Sequence, residues 1–170
     1  MAKNIYGGGA NTNIFGLQFE QETSLATALE NSGYEVIEGK VYYSGKHIAL
    51  IGSKHSFIRN ILEPLGIDIR ILSKKLLPDD ALFNLKNNTV YILEKKFQHC
   101  AGSVDEKLQT CDFKKKQYQK LFDSFDIDVT YCYICNDWFR QSTYGDVMDY
   151  IHSVGCHIFF NEIPLQFLGL

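Results

Sequence analysis

The stretch Val90-Tyr91-Ile92-Leu93-Glu94-Lys95-Lys96 constrains the fold more tightly than any other part of the chain. Its apolar run leaves no polar face, so the strand it predicts is buried on both sides, in the middle of a covered sheet. Yet the run ends in charged residues rather than turn formers. Residues two apart on a strand point the same way, so Glu94 and Lys96 share a side. A central strand that brings a carboxylate and an ammonium together at its end is what the remaining sequence has to accommodate.

The surrounding pattern alternates helical and β-rich segments. A chain of 170 residues, 45% hydrophobic and 22% charged, is one ordinary globular domain, preceded by a loose Gly-rich arm over residues 1–13. A helix is predicted over 16–31, with Phe15, Phe19, Leu25, Ala26 and Leu29 on one side. Short strands at 34–38, 40–43 and 47–51 follow, punctuated by Glu38-Gly39 and Ser44-Gly45. A short helix begins at Ser53, and 67–72 alternates as a strand. Strands at 80–85 and 89–97 flank Lys86-Asn87-Asn88 as a hairpin. A polar loop over 98–109 leads to a helix at 112–125, with Phe113, Tyr118, Leu121, Phe122 and Phe125 as its apolar side. A strand at 129–135, a helix at 144–154 and a strand at 156–161 complete an α/β domain with a mixed central sheet flanked by helices.

Charge excludes some functions. The chain carries 17 basic and 20 acidic side chains, a formal net of −3, which rules out an indiscriminate polycation. The distribution is uneven. Lys107, Lys114, Lys115, Lys116 and Lys120 face only Asp112 within 107–120, whereas the last fifty residues carry Arg140 against seven acids. No apolar run is long enough to span a bilayer and no signal-type core is present, so a cytoplasmic protein without a membrane partner is expected. Five cysteines suggest no disulfide framework. Cys132 and Cys135 lie three apart in a β-rich run, which points their sulfurs to opposite faces and favours buried reduced thiols over a zinc site.

Pro78-Asp79-Asp80 opens the strand that precedes the charged one. If the two are antiparallel, the start of the first lies beside the end of the second, and Asp79 or Asp80 meets Glu94 and Lys96. Two carboxylates can hold a hard divalent cation through oxygen, and an adjacent ammonium can orient water or touch a phosphate. Because successive residues face opposite ways, one of Asp79 and Asp80 is expected to ligate metal, and the sequence leaves open which. Acid-x-Lys triplets also occur at Glu38, Asp105 and Asp112; the triplet at Glu94 alone ends a buried strand behind a Pro-Asp start.

Pro78-Asp79-Asp80 followed by Glu94-x-Lys96 resembles the PD-(D/E)XK nuclease superfamily, and within it the type II restriction endonucleases. The resemblance covers about residues 14–135 and includes the element order. It implies a restriction-endonuclease-like core and Mg²⁺-dependent hydrolysis of double-stranded DNA, with Mn²⁺ able to substitute. Asp79 or Asp80 with Glu94 would be the metal ligands, and Lys96 the activating ammonium. It also nominates Glu20, at the end of Gly16-Leu17-Gln18-Phe19-Glu20, as an auxiliary acid on the first helix, although Glu22 falls better within the apolar stripe. Gln98, Ser103, Lys107, Gln109, Thr110 and Lys114 follow the active strand and are the expected DNA contacts. A homodimer acting on a near-palindrome is expected for so small a chain. Asn136-Asp137-Trp138-Phe139-Arg140 reads either as a DNA or dimer loop, or as a helix N-cap with a packed Trp. Two other readings fit the residues: a structure-specific nuclease of the Holliday-junction resolvase or repair type, and a catalytically silent binding module.

Overall fold

The computed structural model describes residues 16–170, so the predicted arm and Phe15 lie outside the described residues. The chain enters through strand β1 (Gly16–Gln18) and helix α1 (Leu25–Asn31). Strands β2 (Glu35–Ile37), β3 (Lys40–Tyr43) and β4 (Lys46–Gly52) then form an antiparallel meander. Its turns are the two-residue pairs Glu38-Gly39 and Ser44-Gly45, with φ of 48° and 80°, and of 49° and 75°. Paired positive φ values match the twist of the flanking strands, and glycine takes the second position without a Cβ penalty. A short helix, α2 (His55–Phe57), widens into a π turn at Ile58–Leu62 and closes in a 3-10 turn at Glu63–Leu65.

Strand β5 (Asp80–Asn84) pairs antiparallel with β4 and with β6 (Thr89–Lys96), as the hairpin pattern predicts. Helices α3 (Val104–Leu108) and α4 (Cys111–Phe122) cross to β7 (Asp128–Cys135), which runs parallel to β6 over eight paired positions. Helix α5 (Gly145–Ser153) leads to β8 (His157–Phe160), parallel to β7, and the short β9 (Glu162–Pro164) returns to pair with β1. The seven-stranded order is β2-β3-β4-β5-β6-β7-β8. The protein is therefore an α/β fold with a mixed central sheet. Antiparallel neighbours need only tight turns, while each parallel step needs a helical crossover.

Two cores cover the sheet. On one side Phe57, Ile61, Leu62, Tyr118, Leu121, Phe122 and Ile151 pack over Ala81, Phe83, Val90, Ile92, Tyr131 and Tyr133. On the other, Leu17, Leu25, Ala28, Leu29, Ile163 and Leu168 pack over Leu82, Tyr91, Leu93, Cys132 and Ile134. β6 thus alternates between two apolar layers, which is why its sequence shows no polar face. No helix among the described residues is long and apolar enough to cross a membrane.

Four elements differ from the sequence expectation. Residues 16–31 are not one helix: Gly16–Gln18 is a strand held by β9, and the helix starts at Leu25 behind Ser24, whose hydroxyl accepts the Thr27 N–H at 3.1 Å. The expected strand over 67–72 is instead a 3-10 turn, Ile69–Ile71. Asp68 caps it by accepting the Arg70 N–H at 2.8 Å, and the segment joins neither sheet. The polar loop after β6 contains α3. Phe113 is 65% exposed and Phe125 38%, because the buried stripe of α4 runs through Cys111, Tyr118, Leu121 and Phe122.

At the sheet edge, the His157 ring sits 4.9 Å from Phe167 and stacks on Phe159. Burial, with His152 and Lys115 nearby, holds its pKa below the usual histidine value. A depressed histidine contributes stability that is complete above about pH 6.5 and is lost as pH falls below it, because the unfolded chain then binds the extra proton. Denaturant titrations at pH 7.5 and 5.5 are expected to show a smaller acid-side loss for His157→Phe than for the parent. Equal losses would remove His157 as the source.

Candidate active site

The hairpin register decides which carboxylates meet. Asp80 lies opposite Leu93, so one step outward Asp79 lies opposite Glu94. Directly opposed residues share a face. Ala81 and Phe83 of β5, with Val90 and Ile92 of β6, face the α4 side. By the same alternation Asp79, Glu94 and Lys96 belong to that side. Asp79 Oδ2 accepts the backbone N–H of Lys95 at 3.0 Å, which fastens the start of β5 to the charged end of β6.

Asp80 points the other way. Its Oδ1 accepts the Leu25 N–H at 3.4 Å, and its Oδ2 lies 3.5 Å from Lys95 Nζ without a hydrogen bond. Lys95 Nζ donates to the Thr23 carbonyl at 2.8 Å. Burial pushes the Asp80 carboxyl up to about 6, against the pull of the Lys95 ammonium. Asp80 and Lys95 therefore pair on the α1 side of β6. Of the two expected ligand candidates, Asp79 lies on the side of Glu94 and Asp80 on the opposite side, since consecutive strand residues face opposite ways.

Glu94 is 6% exposed and sits between two ammoniums. Its Oε2 accepts from Lys96 Nζ at 3.3 Å and pairs with Lys114 Nζ at 3.6 Å. Lys96 also donates to the Lys95 carbonyl at 3.2 Å and lies over the Tyr133 ring, 5.8 Å from its centre. Beneath them, Tyr118 and Tyr131 are fully buried, and neither hydroxyl has a partner. Burial raises both phenols far above their usual range, and repulsion from Glu94 adds to it; for Tyr118, Asp79 contributes as well. Both carboxylates thus act on one phenol.

The basic run 114–116 does not form one face. Lys114 reaches Glu94, Lys115 Nζ donates to the Gly155 carbonyl at 2.9 Å, and Lys116 Nζ donates to Asp112 at 2.7 Å. Consecutive helical residues are about 100° apart, so three lysines meet three environments. The other expected DNA contacts divide similarly. Ser103, Lys107, Gln109 and Thr110 are exposed around α3. Gln98 is buried: its N–H donates to Asn136 Oδ1 at 3.2 Å, its carbonyl accepts from Asn136 Nδ2 at 2.7 Å, and its side-chain amide reaches Asp105. A side chain so enclosed cannot reach a base edge, so Gln98 is withdrawn as a reader. Glu20 and Glu22 are exposed in the segment between β1 and α1, not on a helix; the Gly-x-x-x-Glu helix start is absent because its first three residues, Gly16, Leu17 and Gln18, form β1.

Sequence reasoning missed Asn136 as a clamp on the backbone just past Lys96. It also missed Lys114 and Tyr118 as neighbours of Glu94. Their i, i+4 spacing with the apolar stripe of α4 was the available signal. Trp138 is packed, its Nε1 donating to Tyr144 Oη at 2.9 Å, and Tyr144 Oη donates to Asp105 at 2.9 Å. Cys132 and Cys135 are buried free thiols in opposite cores, Cys135 pushed up to about 12 by burial.

Among the described residues no three His, Cys, Asp or Glu side chains converge as a metal cage. Two hard carboxylates on one side, above phenols with unspent hydrogen-bonding capacity, fit Mg²⁺, which keeps several waters and takes further oxygen ligands from a phosphate. A cavity of about 1030 Å³ opens at the far end of β5, lined by Tyr34, Tyr43, Lys46, Asn84 and Leu165. None of Asp79, Glu94 or Lys96 borders it. No protein-family model, curated protein or solved structure matches the chain.

Proposed function

We propose that the protein is a Mg²⁺-dependent endonuclease of double-stranded DNA, similar to the type II restriction enzymes. The observation that carries the reading is that Asp79, just before β5, accepts the Lys95 N–H at 3.0 Å next to Glu94, with Lys96 3.3 Å from Glu94. The order of elements supports it: an antiparallel β4-β5-β6 meander, then α4, then β7 parallel to β6, the core on which the sequence resemblance rests.

Asp79 and Glu94 would hold the cation, which when bound polarises the phosphate and makes water more acidic. Lys96 would orient the attacking water and face the charge that develops on phosphorus. Water adds in line, the P–O3′ bond breaks, the 3′ oxygen takes a proton, and the 5′ product keeps the phosphate. Asn136 holds the backbone beyond Lys96, so that the ammonium is positioned rather than free. The exposed residues Ser103, Lys107, Gln109 and Thr110 remain the proposed DNA contacts, a homodimer the proposed assembly and the cytoplasm the proposed compartment.

Incubation of plasmid and branched DNA with Mg²⁺ tests this. Discrete fragments from linear duplex support the restriction reading, and cutting of branched substrates alone supports the resolvase alternative. No cutting of either leaves the silent module. Lys96→Ala is expected to slow cleavage on the order of a hundredfold or more; cleavage at the parent rate would sink the mechanism.

A further inference from the structure

We infer that Lys114 is a catalytic residue that grips the scissile phosphate, a role distinct from contacting DNA outside the active centre. The inference rests on the nuclease reading and deepens it. Lys114 lies four residues before the fully buried Tyr118 on α4, so it falls on the sheet-facing side of that helix. Its ammonium is 3.6 Å from Glu94 Oε2, on the carboxylate oxygen that also meets Lys96. Lys116, two residues on and round the helix, instead pairs with Asp112 at the surface, its side chain 72% exposed against 25% for Lys114.

The two ammoniums differ in freedom. Lys96 is tied to a strand by a second hydrogen bond, to the Lys95 carbonyl, and lies over the Tyr133 ring. Lys114 is the more exposed of the two and makes one contact with the site, the ion pair to Glu94. A phosphodiester entering between Asp79 and Glu94 adds negative charge there. Lys114 can then exchange a carboxylate oxygen for a non-bridging phosphate oxygen without leaving the helix or baring a charge. Lys96 stays in place for the water. Removing Lys114 therefore takes away one phosphate contact at the reacting centre, and with it both rate and salt sensitivity.

The test compares the parent with Lys114→Gln, Lys114→Arg and the same-helix control Lys116→Ala, each first checked for folding by circular dichroism and melting temperature. Binding of a fluorescent duplex in Ca²⁺ is measured by anisotropy across a salt series, and cleavage in Mg²⁺ on the same duplex. The Lys114→Gln variant is expected to lose about tenfold to a hundredfold in cleavage rate, and its plot of log affinity against log salt to be shallower by about one. Lys114→Arg keeps the parent's salt slope, and Lys116→Ala matches the parent in both measurements. A Lys114→Gln variant with the parent's slope and rate overturns the inference, as does a Lys114→Arg slope as shallow as that of Lys114→Gln. If the parent binds duplex but cuts no DNA, the nuclease reading fails while the salt slopes still decide the phosphate contact. If the parent binds no duplex, both fall.

Discussion

Asp79→Asn is expected to lower Mg²⁺-dependent cleavage on the order of a hundredfold or more, while Asp80→Asn stays within about threefold of the parent. The two residues are adjacent and chemically identical, so composition offers no reason to separate them. Geometry does. Asp79 falls opposite Glu94 on the α4 side, and asparagine at 79 keeps an oxygen for the Lys95 N–H, so the substitution isolates the lost charge. Asp80 faces α1, where asparagine still accepts from the Leu25 N–H. The burial that holds the Asp80 carboxyl up to about 6 shows that its charge is costly there, and Lys95 keeps its bond to Thr23. Single-turnover cleavage of a labelled duplex measures both variants. The opposite ranking would mean that the face assignment along β5 is wrong.

Phe57→Ala is expected to destabilise the protein by about 3–5 kcal/mol, read as a shift in the urea midpoint with unchanged slope. The Phe57 side chain is fully buried and meets the Tyr118 ring edge-on, with centres 6.0 Å apart. Its backbone also presses against β4: a Cβ on Gly52 would stand 2.6 Å from Phe57 Cα. Sheet and α2 are already at closest approach, so collapse into the space left by the ring is limited, which places the cost toward the upper end. The void would open beside the Tyr118 ring. A loss under about 1 kcal/mol would show that this part of the core is not packed as described.

How much of the site was legible depends on the range of the interaction that forms it. Glu94 and Lys96 share a face because strands alternate, a local rule that any reader of residues 90–96 can apply. The hairpin that carries Asp79 to Glu94 was legible from Lys86-Asn87-Asn88 between two apolar runs. The first helix was misplaced because an apolar stripe at helical spacing runs on through Gly16–Gln18, and only the returning strand β9, more than 140 residues away in sequence, makes that segment extended. The turn at Ile69–Ile71 was misread for a related reason: alternation predicts a strand only where a partner strand is available, and here Asp68 caps a local turn instead.

By itself the sequence determined that β6 is central and covered on both faces, that its end carries a paired acid and lysine, and that a Pro-Asp start lies next to it. Periodicity and turn chemistry act over a few residues, and these features lie within their reach. Only the tertiary structure put Asp79 and Asp80 on opposite sides of the sheet, enclosed Gln98 against Asn136, and turned Lys114 away from its neighbours toward Glu94. Each of those outcomes depends on strand register or on the rotation of α4 against the sheet. Both are set by how side chains from distant segments fill the two cores, a quantity that no local pattern contains.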